Sequence, residues 1–290
     1  MRLVTFGSPE KWTAGIETPS GVVSLDEAAR AAGWAETGLT NRRLLAMGPK
    51  KMEELEKVAK TLTGQPIANL RIGPPIPDPQ KIICIGLNYH DHAKEVGAAT
   101  PPSPIFFAKF ANSLVGPQDD LVPPRDENHV DYEAELAIVI SKPGRYIARN
   151  NAMDHVAGAM AFNDVSARDF QLANQLWTSG KAVDTFGPCG PALVTLDDLG
   201  NLQDLAVKTR VNGDVVQNGT TASMIFGIAE LIEFLTKVMT LEPGDIIATG
   251  TPAGVARAHT PPRFLKTGDV VEVEIQGIGT LKNTLLEAAG

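Results

Sequence analysis

Glu133 and Glu135 stand two residues apart in Asp131-Tyr132-Glu133-Ala134-Glu135, directly before the apolar run Leu136-Ala137-Ile138-Val139-Ile140. Side chains alternate along a strand, so Asp131, Glu133 and Glu135 share one face while Tyr132, Ala134 and Leu136 share the other. Carboxylates this close repel, and partial burial beside an apolar run sharpens the repulsion. Either water reaches that face or a cation sits on it. A solvated acidic strand protecting a sheet edge meets the first condition. Asp164 follows the apolar run Val156-Ala157-Gly158-Ala159-Met160-Ala161-Phe162 and Asn163, where a strand meets a helix and Asp commonly caps or turns the chain. As a third oxygen donor beside Glu133 and Glu135, it completes a hard-cation site of the Mg²⁺ type, with water or substrate in the other positions.

Acid–base and anion-binding candidates flank these acids. Asn88 reads as the N-cap of a helix running through Val96 and ended by Gly97, on which His92 and Glu95 lie three apart on one face. A carboxylate against an imidazole fixes its tautomer and raises its basicity, as a general base for water requires; a surface His–Glu pair is the plainer alternative. The loop 98–104 behind this helix lets it act as a lid. Arg168 and Gln171 share a face of a helix expected from Ser166 through Leu176, and Lys181 lies in a glycine-bounded loop. Such cations suit an anionic substrate, although single surface Arg and Lys residues are common. Gly250-Thr251-Pro252-Ala253-Gly254 lets backbone N–H groups approach an anion, or is simply a tight loop, and it lacks P-loop spacing. Lys109, in the apolar strand Ile105-Phe106-Phe107-Ala108-Lys109-Phe110, reads first as a snorkelling surface residue, with a charge facing the site as the alternative. Glu272 and Glu274 repeat the two-residue spacing, but strict alternation in 269–275 points them to solvent.

The supporting elements divide at a proline-rich connector. Residues 1–72 read as a small N-terminal α/β domain: strands at 2–6, 13–17 and 22–23, a Ser24/Glu27 capping box, and a charged helix over 53–60. Residues 73–80 are the connector, and residues 81–290 the main domain. Buried strands there at 81–86, 105–110, 136–140 and 156–162 join an Asn212-Gly213 hairpin and an amphipathic helix at 227–238, an α+β, β-rich pattern. With 290 residues the chain can bury a large core, and its net charge of −8 argues against general nucleic-acid binding. Cys84 and Cys189 have no metal-type spacing and read as reduced packing residues. No apolar run is long enough for a membrane span and no signal-peptide core follows Met1, so the expected compartment is cytoplasmic.

From Lys81 to Leu286 the chain resembles the fumarylacetoacetate hydrolase family. The carrying motifs are Gly86-Leu87-Asn88-Tyr89 with His92 and Glu95, Phe107-Ala108-Lys109, Asp131 through Glu135, Asn163-Asp164-Val165-Ser166-Ala167-Arg168-Asp169, Gly180-Lys181, Asp184-Thr185-Phe186-Gly187-Pro188 and Thr249-Gly250-Thr251-Pro252-Ala253-Gly254-Val255. The resemblance implies a mixed β-sandwich rolled, barrel-like, around a metal site, a small N-terminal domain and a homodimer. It implies that Glu133, Glu135 and Asp164 bind Mg²⁺, with Mn²⁺ or Ca²⁺ as substitutes. It further implies that His92 and Glu95 form a catalytic lid dyad and that Lys181 is catalytic, while Arg168, Gln171, Lys181, Gly250 and Thr251 contact substrate. The implied activity is hydrolysis of a carbon–carbon bond in a small diketo acid, with the metal stabilising the enolate and His92/Glu95 activating water. Relatives also include decarboxylases of oxaloacetate and isomerases of hydroxymuconate-type 2-oxo acids, and a catalytically idle ligand-binding paralogue is a further alternative. The expected partner is the small 2-oxo or diketo acid substrate, with neither nucleic acid nor membrane.

Overall fold

The computed structural model describes residues 1–288, so the last two residues of the expected main domain lie outside the described part. Its principal strands are β1 (Arg2–Ser8), β2 (Lys11–Thr18), β3 (Gly21–Ser24), β4 (Ile82–Gly86), β5 (Ile105–Lys109), β6 (Ala134–Ile140), β7 (Val156–Asn163) and β8 (Gly187–Thr195). They are followed by β9 (Ala206–Val211), β10 (Asp214–Thr220), β11 (Ile246–Ala248), β12 (Val270–Ile275) and β13 (Gly279–Thr284). The large mixed sheet runs β3-β2-β1-β8-β7-β6-β11-β4-β5, and an antiparallel sheet of β10-β9-β12-β13 packs against it. The three N-terminal strands continue the large sheet, because β1 pairs with β8 through Arg2↔Val194 and Leu3↔Leu193.

The sandwich and the α+β, β-rich character are as expected, and the roll does not close into a barrel. Among the described residues β3 and β5 are the two ends of the sheet and do not meet, so the sheet remains open.

Strand β6 shows why the core lies where it does. All of its residues are buried, since both of its faces are covered. Leu136, Ile138 and Ile140 enter the core shared with the four-stranded sheet, beside Val207, Val273 and Leu281. Ala137 and Val139 enter the opposite core, with Leu25, Leu44 and Leu55 of helices α1 (Leu25–Ala31), α2 (Asn41–Met47) and α3 (Pro49–Ala59). Helix α1 starts at the expected cap, where Ser24 Oγ accepts from Glu27 N at 3.2 Å. Both central residues of the turn between β9 and β10 have positive φ, 51° at Asn212 and 90° at Gly213, as an Asn-Gly hairpin requires.

Three local expectations change under tertiary contacts. The helix after β4 is only α4 (His90–Glu95), with Tyr89 rather than Asn88 at its N-cap. The Asn88 side chain instead donates to Thr249 O and Phe226 O and accepts from Phe226 N, tying three segments together. The helix expected over 166–176 contracts to α5 (Arg168–Leu172), because Ser166 and Ala167 pair with Asp131 and Val130. The strand expected through Asp131–Glu135 is broken at Tyr132-Glu133; Asn163 Oδ1 accepts Glu133 N at 3.0 Å and Gln217 Oε1 accepts Ala134 N at 3.0 Å in place of ladder partners.

Gly158 in β7 sits against β8 so closely that a Cβ there meets Val194 O at 1.9 Å. Gly158→Ala is therefore expected to destabilise the protein by about 1–3 kcal/mol, as forced overpacking does. A urea midpoint equal to wild type would refute this.

Candidate active site

Antiparallel pairing of β6 with β7 sets Phe162 opposite Glu135 and Asn163 opposite Ala134, so Asp164 comes beside Glu133 just past the strand ends. Asp164 N donates to Glu133 O at 2.9 Å across this junction. One carboxylate oxygen from each of Glu133, Glu135 and Asp164 lies within 4.8 Å of the others, and all three residues are buried. Three cations are buried with them. Lys181, on the one-turn helix α6 (Thr178–Lys181), donates from Nζ to Glu133 Oε2 and Asp164 Oδ2, both at 2.7 Å. Lys109 Nζ donates to Asp164 Oδ1 at 2.7 Å, and Arg168 Nη2 donates to Glu133 Oε1 at 2.6 Å.

Lys109 is thus a buried ion-pair partner, 1 % exposed, and not the expected snorkelling surface residue. Its ammonium is held inside because Asp164 and the Val165 carbonyl, at 3.1 Å, replace water. Asp131, without a role in the sequence, anchors Arg168 by accepting from Nε at 2.9 Å and Nη2 at 2.8 Å. It also accepts Ala256 N and Arg257 N, at 2.7 and 3.2 Å, so one carboxylate positions both the guanidinium and the loop after Gly254.

Four buried carboxylates, of Asp131, Glu133, Glu135 and Asp164, therefore meet three buried cations. Among the described residues Glu135 has no ion-pair partner, and its one hydrogen bond comes from Gly250 N, at 2.9 Å. Burial, with Asp164 and Glu133 adding repulsion, holds its carboxyl well above the usual carboxylate range. Burial pushes Glu133 the same way, but Lys181 and Arg168 outweigh it and hold that carboxyl low. Burial opposes the charge of Lys181, yet Asp164 and Glu133 raise its ammonium above the ordinary value. The residues fit a divalent cation: an all-oxygen donor set with one uncompensated acid is what a hard ion neutralises.

His92 and Glu95 meet as the spacing predicts. His92 Nδ1 and Glu95 Oε1 are 2.8 Å apart, and Glu95 Oε2 accepts Gly254 N at 2.9 Å, linking helix α4 to the glycine loop. A cavity of about 240 Å³ is lined by His92, Glu133, Glu135, Arg168, Gln171, Lys181 and Thr251. Glu95, Asp164 and Gly250 stand one contact behind it, bonded to His92, Lys181 and Glu135 respectively. Gln171 Oε1 accepts from Arg168 Nη1 at 2.7 Å, and Thr251 Oγ1 accepts from Gln217 Nε2 at 2.9 Å. Trp177, Phe107, Leu172 and Arg257 also line the cavity without having been singled out as site residues. For Phe107 a signal existed, since alternation puts it on the face of Lys109; local composition carried none for Trp177.

Together the fold and the cavity define a small-molecule enzyme. The fumarylacetoacetate (FAA) hydrolase C-terminal family matches residues 81–286, and the chain belongs to that family. It is 41 % identical over 293 residues to human oxaloacetate tautomerase FAHD2A, mitochondrial, covering 99 % of this chain and 92 % of the relative. The crystal structure of maleylpyruvate hydrolase from Sphingobium sp. SYK-6 superposes with a TM-score of 0.82 at 30 % identity, covering 99 % of this chain and 100 % of the other. That of 2-hydroxyhepta-2,4-diene-1,7-dioate isomerase from Mycobacterium marinum gives 0.76 at 33 % identity, covering 100 % of both. The human relative is named mitochondrial, a compartment different from the cytoplasmic one expected for this chain. No helix among the described residues is long and apolar enough to cross a membrane.

Because Glu135 is the acid without a cation, Glu135→Gln is expected to leave the thermal midpoint in chelator unchanged or raised. Wild type is expected to gain about 2.7 kcal/mol of stability from a divalent ion such as Mg²⁺ at a hundredfold excess over Kd, and the variant is expected to lose that gain. Retention of the full Mg²⁺ shift in the variant would exclude Glu135 as a ligand.

Proposed function

We propose that this enzyme moves a proton at the carbon next to the carbonyl of a short 2-oxo dicarboxylic acid of the oxaloacetate type, interconverting its keto and enol forms. The observation that carries this reading is the cavity, which brings the buried acid cluster and the imidazole of His92 together in only about 240 Å³. That is below the roughly 300–1,000 Å³ of pockets for drug-sized ligands. The likeness over nearly the whole chain to a protein named oxaloacetate tautomerase supports the same reading, and favours it over the carbon–carbon hydrolase expected first.

Glu133, Glu135 and Asp164 would hold the divalent ion, Mg²⁺ or in its place Mn²⁺ or Ca²⁺, which when bound supplies Lewis-acid stabilisation of a developing enolate oxygen. The chain supplies the rest. Arg168 commits Nε and Nη2 to Asp131 and Glu133 and one Nη1 hydrogen to Gln171, so the second Nη1 hydrogen remains for a substrate oxygen. Lys181 spends two N–H bonds on Glu133 and Asp164, while its further contact, to Asp164 O, is long at 3.4 Å. Both cations are fixed before substrate arrives, so little reorganisation accompanies charge development. Glu95 accepts the Nδ1 proton of His92, which leaves Nε2 basic. In the proposed reaction Nε2 takes the proton from the carbon and returns it to the enol oxygen, or the reverse. No attacking water is needed. A closely related enolate, that of the 2-oxo monoacid one carbon shorter, forms if the bond to the carboxylate β to the carbonyl breaks and CO₂ departs, so decarboxylation is a related outcome.

The hydrolase reading stays second, favoured by the His92–Glu95 pair, which is equally suited to deprotonating water. Enol–keto interconversion of oxaloacetate followed by ultraviolet absorbance separates the two. The expected result is acceleration with Mg²⁺, loss with EDTA, and a fall of about 10²- to 10⁴-fold in His92→Gln. Consumption of acylpyruvates with no effect on the enol–keto rate would overturn the proposal in favour of the hydrolase.

A further inference from the structure

The cations that line the cavity divide into two kinds. Arg168 and Lys181 are buried and already paired with Asp131, Glu133 and Asp164. Arg257 is exposed, and among the described residues its guanidinium makes no hydrogen bond, ion pair or ring contact. Its backbone is not loose. Ala256–Ala258 forms a 3-10 turn, and Ala256 N and Arg257 N both donate to Asp131, the acid that also anchors Arg168. The chain thus fixes the root of a long cationic side chain at the mouth of the cavity and leaves its head uncommitted.

The cavity itself offers that head no partner. Its lining acids, Glu133 and Glu135, belong to the buried cluster, Glu133 being bound by Arg168 and Lys181. The lining also includes the apolar side chains of Val96, Ala98, Leu172 and Trp177, each of them partly or largely exposed. A free guanidinium over an apolar wall pairs with whatever anion the ligand brings, and its planar fork matches a carboxylate with two parallel N–H bonds.

We infer that Arg257 is a specificity-determining residue that binds the distal carboxylate of a dicarboxylic 2-oxo acid, selecting diacids over 2-oxo acids with an apolar tail. The inference rests on the 2-oxo acid reading above and adds the residue that makes the enzyme prefer a second carboxylate. The apolar lining supplies the competing outcome, a preference for acyl tails with Arg257 merely wet.

The test compares wild type, Arg257→Gln and Arg257→Lys on oxaloacetate and on 2-oxobutanoate, with proton exchange at carbon 3 followed by NMR in D₂O with Mg²⁺. The expected result is a diacid to monoacid ratio of kcat/KM that falls at least about tenfold in Arg257→Gln, carried by KM rather than kcat. Arg257→Lys, which keeps the charge, should recover part of the preference. An unchanged ratio in Arg257→Gln would overturn the inference while leaving the 2-oxo acid reading intact; a wild-type preference for the monoacid would overturn the inference together with the dicarboxylic part of that reading. If wild type exchanges neither acid, that reading fails, and calorimetric binding of the same two acids still decides the role of Arg257. Tighter diacid binding that is lost in Arg257→Gln supports it, and equal binding of both acids refutes it.

Discussion

The ammonium of Lys181, 2.7 Å from both Glu133 and Asp164, is the contact on which the rest of the site depends. Two carboxylates 4.8 Å apart repel by roughly 3.5 kcal/mol at an effective dielectric constant of 20, and here three are buried together. The strand ends that carry Glu133 and Asp164 lie side by side because β6 and β7 are in register, and that register is dictated by apolar side chains on both faces of the sheet. Apolar packing therefore brings the acids together, and Lys181, with Lys109 and Arg168, makes their closeness tolerable. Burying charge is costly even when paired. Such an arrangement persists because the surrounding core over-determines it, and the uncompensated Glu135 is what it leaves available for chemistry.

Much of this was readable from residue types. The acids, the imidazole with its carboxylate and the cations are few and lie in short runs, so helical or strand periodicity placed the His92–Glu95 pair and the Arg168–Gln171 pair correctly. Periodicity failed where a side chain replaces a backbone partner. Asp131 does not simply share a face with Glu133, because the strand breaks at Tyr132-Glu133 and Asn163 and Gln217 satisfy the freed N–H groups. Lys109 was misread for a related reason: a lysine in an apolar strand looks like a snorkelling residue unless its partner, 55 positions away, is known. The open sheet could not be read from the strands either, since whether a sheet closes depends on how its two end strands meet, and no local pattern encodes that.

Hydrolase, isomerase and tautomerase names among the similar proteins are less discordant than they look. Each activity can pass through negative charge on an oxygen next to a carbon whose bond to hydrogen or carbon is being made or broken. A rigid block of prepaired charge serves all three, and the outcome turns on whether water, a proton or CO₂ is the other participant.

The loop after Gly254 is attached in an unusual way. Glu95 holds Gly254, and Asp131 holds Ala256 and Arg257, in each case through a main-chain N–H. Any amino acid except proline carries that group. Ala256 itself is packed into a core, but the identity of the exposed side chain at Arg257 is thereby uncoupled from the attachment, and this part of the cavity lining can change while the charged interior stays as it is. A fold organised this way separates evolvability from reactivity: a change at the rim leaves the main-chain attachment, and with it the part that handles charge, in place.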